Sequence, residues 1–444
     1  MRLSERELLL LGRTFLDYRA TREFLAHPLI VERAQGLYVW DRDGRRYLDA
    51  IGGIFVAVLG HRHPRVIEAM ERQMAKVTFA PPLHSIASVT LDLIERLGEV
   101  TPGALKFVKP YSGGSEAVES ALKFARQYFR QSGQPGKYKF ISRYHSYHGA
   151  TYGAMGASGS GVRKAKFEPQ MGGFWHVFPP THYRRWFADW DEANRFAARA
   201  VEDLIEEEGP ETVAGVLLEP IGNTGGIITP TAEYFRLLRE ICDRHQVLLI
   251  FDEIITGFGK TGRMFAAQTF GVTPDILCVG KGMSSGAVPA GAMIAREDMA
   301  EAFAGAGRNF AHGHTFAGNP LVCAAALAVI DTIVAEDLCA KAERLGAALR
   351  ARLERLRRLG VVWEIRGKGV LLGVEFTRDP ARLTPFPELG AALKRTALEN
   401  GILLRVDANW FAVAPPLIAE EADVEEMCHL IEKSLSDALA RVSA

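Results

Sequence analysis

Residues 247–262 read VLLIFDEIITGFGKTG, and in this stretch a short apolar run ends in two acidic residues, Asp252 and Glu253. The run 247–251 has the length and composition of a strand that is buried on both faces. An acidic residue that leaves a buried strand must be paired, bind a metal or face a cationic ligand, because an unpaired buried charge is costly. The stretch therefore predicts a buried strand with a polar site at its end.

The same pattern continues on both sides of this stretch. Short apolar runs lie at 105–108, 138–142, 213–218, 276–279 and 292–295, and helical stretches such as 115–130, 197–208 and 232–245 separate them. Buried strands that alternate with helices indicate an α/β protein whose mostly parallel sheet is covered by helices. Ligands bind such sheets at the carboxyl ends of the strands, so a site is expected there.

The two ends of the chain predict a second, smaller α/β domain. Helices at 321–333 and 337–358 lead into a tail with strands at 371–376 and 402–406 and a final helix at 421–441. The Asp-Gly turn at 41–44 predicts an N-terminal hairpin that can join this tail. We expect an N-terminal segment 1–60 that joins the small domain, a large domain 61–325 and a C-terminal small domain 326–444.

Composition restricts the function and the compartment. The 444 residues carry 53 basic and 53 acidic side chains and no net charge, which argues against nucleic-acid and polybasic membrane-surface partners. The 5 cysteines form no CxxC pair and are expected to be reduced core residues, so no zinc site is predicted. No apolar run is long enough for a signal peptide or a membrane span. The expectation is a cytoplasmic protein.

Two segments at strand ends bear on the ligand. In SGGSEA (112–117) a glycine turn opens a helix, so free backbone N–H groups and Ser115 can bind a phosphate, although a plain N-cap at Ser115 is an equal alternative. Lys281 follows the run 276–279 between two glycines and can turn inward to a ligand, or it is a solvated lysine at a strand end.

A phosphate loop of a nucleotide hydrolase is the competing interpretation of this region. The sequence Gly259-Lys260-Thr261 suggests it, but the pattern GxxxxGK[ST] requires glycine where Ile254 stands. The loop should also follow its own strand directly, and here it trails the acidic residues. A non-catalytic or nucleotide-hydrolysing phosphate binder is therefore the weaker alternative.

Six segments, taken together and in order, resemble the class III aminotransferases. They are SGGSEA (112–117), SYHG (146–149), LEPI (218–221), FDEIITGFGKTG (251–262), GKG (280–282) and HGHTFAGNP (312–320). The resemblance runs from about residue 36 to 416. It implies the fold-type-I scaffold and the cofactor pyridoxal phosphate (PLP).

The resemblance also assigns roles around the cofactor ring. It makes Lys281 the lysine that forms the Schiff base and then moves a proton between the substrate Cα and the cofactor. Asp252 is then the anionic partner of the ring nitrogen. Tyr147 is expected to stack on one face of the ring and Ile254 on the other, with His148 beside the cofactor.

Further roles concern the phosphate and the subunit arrangement. The N–H groups of Gly114 and Ser115 are expected to bind the phosphate, together with Thr315 of the partner subunit. Glu219 is expected beside the cofactor, where it can pair with an arginine of the substrate pocket. The resemblance therefore implies a homodimer with composite sites, or a tetramer built from such dimers.

Substrate recognition separates subgroups of the family. The ornithine-type and γ-aminobutyrate-type members carry an arginine where this chain has Ala412. The ω-aminotransferases that use pyruvate carry a mobile arginine at the position of Arg405, which can pair with a keto-acid carboxylate and swing aside. Phe55, where the subgroup has tryptophan, and His314 are expected to line the substrate pocket.

The sequence thus predicts an ω-amino acid or amine:pyruvate aminotransferase that works by a ping-pong cycle with a small-molecule amine donor and a keto-acid acceptor. The alternatives within the family are a class III aminotransferase that uses 2-oxoglutarate, and an aminomutase or decarboxylase of the same class.

Overall fold

The structure is a computed structural model that describes residues 3–379 and 382–443. The strands are β1 Val31–Gln35, β2 Tyr38–Asp41, β3 Arg46–Asp49, β4 Leu105–Tyr111, β5 Lys139–Arg143, β6 Phe174–Val177, β7 Val213–Leu218, β8 Leu248–Asp252, β9 Ile276–Gly280, β10 Gly291–Arg296, β11 Val362–Lys368, β12 Leu371–Phe376, β13 Ile402–Leu403, β14 Arg405–Val406 and β15 Trp410–Val413.

The helices alternate with these strands over most of the chain. They are α1 Glu5–Leu11, α2 Thr21–Ala26, α3 Gly52–Phe55, α4 Pro64–Met74, α5 Ser88–Val100, α6 Gly114–Gln131, α7 Tyr152–Ala157, α8 Gly161–Lys164, α9 Pro180–Tyr183, α10 Trp190–Glu208, α11 Ala232–Arg244, α12 Ala266–Phe270, α13 Pro320–Ala335, α14 Leu338–Leu353, α15 Pro387–Glu399 and α16 Glu421–Ser443. None of the helices in the described ranges is long and apolar enough to cross a membrane.

A seven-stranded sheet with the order β4-β10-β9-β8-β7-β5-β6 forms the centre of the molecule. The strands β9, β8, β7, β5 and β6 pair in parallel, and β10 is antiparallel to both of its neighbours. The prediction of a mostly parallel sheet is confirmed. The carboxyl ends of the parallel strands consequently meet at one edge, where a site can form.

Alternate residues of the central strands enter two different cores, which is why these strands are apolar throughout. In β8, Leu248 and Ile250 pack into the core that contains Val118 and Phe124 of α6. Leu249 and Phe251 point to the other side of the sheet and join the larger core. Helices therefore cover both faces, and only the strand ends can present polar groups.

Two smaller sheets flank the large one. The N-terminal hairpin β2–β3 forms as predicted and is joined by β1 and β13, with Ile402 paired in parallel to Leu48. The third sheet has the order β11-β12-β15-β14. The C-terminal chain thus contacts the N-terminal hairpin, while the boundaries at 60/61 and 325/326 remain a prediction.

Three local predictions differ from the structure. The strand β6 was not predicted because His176 interrupts its short apolar run; the strand lies at the sheet edge, and three of its four residues are only half-buried. Helix α10 begins at Trp190 rather than at 197, since the side chain of Asp189 caps its first turn. The single strand expected at 402–406 is divided, because β13 pairs with β3 and β14 pairs with β15.

The close approach of β10 to the SGGSEA turn provides a test of the fold. A Cβ atom added at Gly291 would lie 2.3 Å from the carbonyl oxygen of Gly113, and backbone cannot move aside as a flexible side chain can. Gly291→Ala is expected to destabilise the protein by about 1–3 kcal/mol, the usual cost of overpacking. Denaturant unfolding measures this cost.

Gly313→Ala is the matched control, since a Cβ there meets nothing within 4 Å. Equal stability of the two variants would contradict the packing of β10 against the turn.

Candidate active site

A cavity lies where the carboxyl ends of the parallel strands meet. It is lined by Gly114, Ser115, Tyr147, His148, Gly149, Glu219, Ile221, Asp252, Ile254, Ile255 and Lys281. Eight of these eleven residues are the ones that sequence analysis placed around the cofactor. The structure therefore brings together residues that span more than 160 positions of the chain.

The SGGSEA turn presents the amino end of α6 to this cavity. Helix α6 begins at Gly114, and no side chain caps its first turn. The Ser115 hydroxyl instead accepts a hydrogen bond from the Ala150 N–H at 3.1 Å, so the plain N-cap at Ser115 is not formed. The first N–H groups of α6 remain available, and together with the helix dipole they fit a phosphate.

Glycines make this phosphate-sized space possible. Gly149 has a φ of +146°, and a Cβ there would lie 2.7 Å from the Ser115 hydroxyl oxygen. A Cβ at Gly114 would lie 2.7 Å from Cδ1 of Ile254. Side chains at either position would fill the space between the helix end and the aliphatic wall, so both positions require glycine.

Asp252 at the end of β8 is buried and paired. Its Oδ2 lies 2.8 Å from Nδ1 of His148, and its Oδ1 accepts the Ile254 N–H at 3.1 Å. The other ring nitrogen of His148, Nε2, is buried with no partner among the described residues. The carboxylate is therefore fixed in orientation, as an anionic partner for a ring nitrogen must be.

Lys281 follows β9 and begins a short 3-10 turn with a φ of +41°. Burial lowers its pKa, although the carboxylates of Asp252 and Glu219 act in the opposite direction. Its Nζ makes no hydrogen bond with the residues that the structure describes. Burial therefore favours the unprotonated amine more than in an exposed lysine, and no partner ties up its nitrogen.

A second lysine lies behind the cavity and was not predicted. Lys260 is 2% exposed, and its Nζ would lie 3.2 Å from a Cβ added at Gly282, next to Lys281. Burial and the charge of Lys281 lower the pKa of Lys260 to about 7. The turn around Lys260 leads into no helix at that point, so the phosphate-loop interpretation is excluded.

Glu219 lies at the end of β7 and is 5% exposed. Burial raises the pKa of Glu219 to about 7. Its Oε1 accepts the Asn223 N–H at 3.3 Å, and Oε2 is buried without a partner in the described ranges. A buried acceptor without a donor fits a site that a cationic group completes.

Tyr147 is half-buried, and its hydroxyl lies 3.2 Å from the hydroxyl of Tyr18. The guanidinium carbon of Arg163 lies 4.8 Å from the centre of the Tyr147 ring. Neither Tyr18 nor Arg163 was predicted, because no local motif marks a contact between such distant parts of the chain. Burial raises the pKa of Tyr147, so the phenol is neutral at physiological pH.

Four residues with predicted roles lie outside the cavity. Thr315 is exposed, which is compatible with its expected place in the site of another subunit. His314 is half-buried and its ring lies 5.3 Å from that of Tyr111. Phe55 is 1% exposed and packs into the larger core. Arg405 donates to Asp407 at 3.1 Å. The roles of these residues stay predictions.

Comparison with known proteins agrees with this geometry. Residues 20–435 match the family model "Aminotransferase class-III". A "probable aminotransferase" of Mycobacterium tuberculosis is 40% identical over 423 residues, which cover 93% of this chain and 90% of the relative. A mitochondrial γ-aminobutyrate transaminase of rice is 33% identical over 431 residues, which cover 94% of this chain and 83% of the relative.

The solved structures give the same result for the fold. The ω-transaminase of Pseudomonas jessenii in complex with PMP superposes with a TM-score of 0.95 at 32% sequence identity, covering 99% of both chains. The fold and the cavity define a fold-type-I transferase that uses pyridoxal phosphate. The chain belongs to the class III aminotransferases.

The raised pKa of Glu219 generates a test on the cofactor-free protein. Because its folded pKa of about 7 lies above the ordinary value of 4.5, folding favours the protonated carboxyl. The contribution of Glu219 to folding stability is fully present below about pH 4.5 and is lost as the pH rises through about 7. Glu219→Gln should therefore gain about 2–3 kcal/mol of stability over the wild type between about pH 5 and about pH 8.

Denaturant unfolding of both proteins across this pH range measures the difference. Glu253, whose pKa is also raised to about 7 by burial, is present in both proteins and cancels. A difference in unfolding free energy that does not change with pH would contradict the burial of an uncompensated Glu219.

Proposed function

We propose that this aminotransferase transfers the amino group of an ω-amino acid or amine to pyruvate in two half-reactions of a ping-pong cycle. The observation that carries this proposal is the convergence of Lys281, Asp252 and the amino end of α6 on one cavity. The names of the rice relative and of the P. jessenii structure support a donor whose amino group is at the end of a chain.

Several residues of the chain fit the cofactor. The first N–H groups of α6 with Ser115 would hold the phosphate, and Asp252, oriented by His148, would accept a hydrogen bond from the ring nitrogen. Tyr147 and Ile254 would enclose the ring. Bound pyridoxal phosphate supplies the carbonyl carbon that receives the amino group and a ring that stabilises negative charge at the substrate Cα.

Lys281 has two tasks in this proposal. Its Nζ would hold the carbonyl carbon of the cofactor until a substrate amine takes that place, and the freed, unprotonated Nζ would then take a proton from the substrate Cα. Burial of Lys281 favours the unprotonated amine that both tasks need. Glu219, with its unpartnered Oε2, would pair with a substrate-binding arginine when no carboxylate is bound.

The proposal of pyruvate as acceptor rests on Arg405. Arg405 in β14 is the direct partner of Ala412 in β15, the position where other subgroups carry their substrate arginine. Directly paired residues of antiparallel strands lie on the same face of a sheet. Arg405 on the neighbouring strand can therefore reach the same part of the substrate pocket that an arginine at position 412 would reach.

We also infer a homodimer with composite sites. Thr315 is exposed on its own chain and does not line that chain's cavity. This supports a role for Thr315 of the partner subunit in binding the phosphate.

Lys281→Ala tests the chemistry directly. The variant should lose at least about three orders of magnitude in kcat, because no other amine lines the cavity among the described residues. Steady-state transfer from an amine to pyruvate measures kcat. Lys394→Ala, which removes an exposed lysine of α15, is the control and should keep wild-type turnover. Full turnover by Lys281→Ala would refute the proposal.

Arg405→Gln tests the acceptor. Loss of a charge-assisted pair with the carboxylate should raise the KM for pyruvate by about 10-fold to 100-fold. Arg395→Gln, which removes an exposed arginine of α15, should leave the KM unchanged. When the wild-type protein is supplied with both pyruvate and 2-oxoglutarate, chromatography of the product of the second half-reaction distinguishes alanine from glutamate. Glutamate as the only product would show that 2-oxoglutarate is the acceptor.

A further inference from the structure

Arg163 lies against two tyrosine rings, one of which lines the cavity. It lies on the short helix α8, between β5 and β6. Its guanidinium carbon is 4.5 Å from the centre of the Tyr18 ring and 4.8 Å from the centre of the Tyr147 ring. The two tyrosine hydroxyls lie 3.2 Å apart, so the two side chains that contact the cation also contact one another. Tyr147 also lines the cavity, which places Arg163 beside the site.

The two tyrosine rings lie against this guanidinium but leave its N–H groups unused. Arg163 is half-buried, and it makes no ion pair or side-chain hydrogen bond within residues 3–379 and 382–443. Asp17 is close enough to affect the pKa of Tyr147, but it does not form an ion pair with Arg163. A guanidinium that lies against aromatic rings keeps its N–H groups free for a carboxylate, whose geometry they match.

Arg163 and Arg405 lie near enough to one another for their charges to interact. Burial lowers the pKa of Arg405, the carboxylate of Asp407 raises it, and the positive charge of Arg163 lowers it further. Arg405 has Asp407 as a partner at 3.1 Å, whereas Arg163 has none in the described part of the chain. Two guanidinium groups with one paired carboxylate thus lie on the Tyr147 side of the site, which favours an anionic substrate over a purely cationic one.

We propose that Arg163 binds the carboxylate at the far end of an ω-amino acid donor while the amino group of that donor reaches Lys281. This inference rests on the proposed function and narrows its donor to an amine that carries a distant carboxylate. Tyr18 and Tyr147 position the guanidinium. Arg163 is then a specificity-determining residue, and Arg405 remains available for the carboxylate of the keto acid.

The test compares two donors of matched chain length, γ-aminobutyrate and n-butylamine, on the cofactor-loaded protein. The first half-reaction is followed by the change in cofactor absorbance. For Arg163→Gln, the ratio of the second-order rate constants, γ-aminobutyrate over n-butylamine, should fall about tenfold or more, since only one donor carries the carboxylate. Arg163→Lys keeps the positive charge but loses the paired N–H donors of the guanidinium. Its donor ratio should lie between those of the wild type and Arg163→Gln.

Lys166→Gln is the matched control, because it removes an exposed positive charge from the same segment. Its donor ratio should equal that of the wild type. An unchanged ratio in Arg163→Gln would overturn the proposal. A loss confined to a dicarboxylic keto-acid acceptor would also overturn it, because Arg163 would then serve the second half-reaction.

A binding measurement separates this inference from the proposed function. Calorimetry with butyrate on the loaded Arg405→Gln protein isolates the second arginine. Adding Arg163→Gln to this variant should raise the Kd for butyrate about tenfold or more. Equal Kd values for the single and the double variant would overturn the proposal. If the wild type transfers no amino group from either donor, the proposed function fails, while the butyrate result still decides whether Arg163 binds a carboxylate.

Discussion

The hydrogen bond between Asp252 and His148, 2.8 Å long and buried at the end of β8, is the interaction on which the rest of the site depends. It holds a buried carboxylate at the wall of the cavity, where β8 ends between the apolar strands β7 and β9. Around it, the pKa of Glu219 is raised and that of Lys281 is lowered, and burial is the main cause of both shifts. A site whose charges are so poorly compensated by the protein is arranged to be completed by a charged ligand.

The position of the third sheet relative to this site depends on a second buried charge network. Arg366 of β11 donates to the Gly226 carbonyl at 2.7 Å and pairs with Glu364 at 2.6 Å. Gly226 belongs to the loop that follows Glu219, and the third sheet carries Arg405. Arg366 thus ties the loop beside Glu219 to the sheet that carries Arg405. The loop and this sheet are therefore held in a fixed relative position.

The residues predicted from sequence lie together in the structure where their placement depends on local backbone geometry. Gly114 and Ser115 open a helix directly after a strand, and Asp252 and Lys281 each end or follow a buried strand, so the sheet itself brings them together. The sequence could not reveal Tyr18 and Arg163 beside Tyr147, because these contacts join segments with no common motif. The burial of Lys260 could not be predicted either, because a lysine in a glycine turn resembles a surface residue.

We infer that Lys281 is the amine that binds the cofactor. Borohydride reduction of the PLP-loaded protein, followed by peptide mass spectrometry, shows which lysine forms this bond. A pyridoxyl-phosphate mass is expected on Lys281 and on no other lysine. Modification of Lys260 instead, or no covalent label on a protein that retains the cofactor, would show that Lys281 does not bind it.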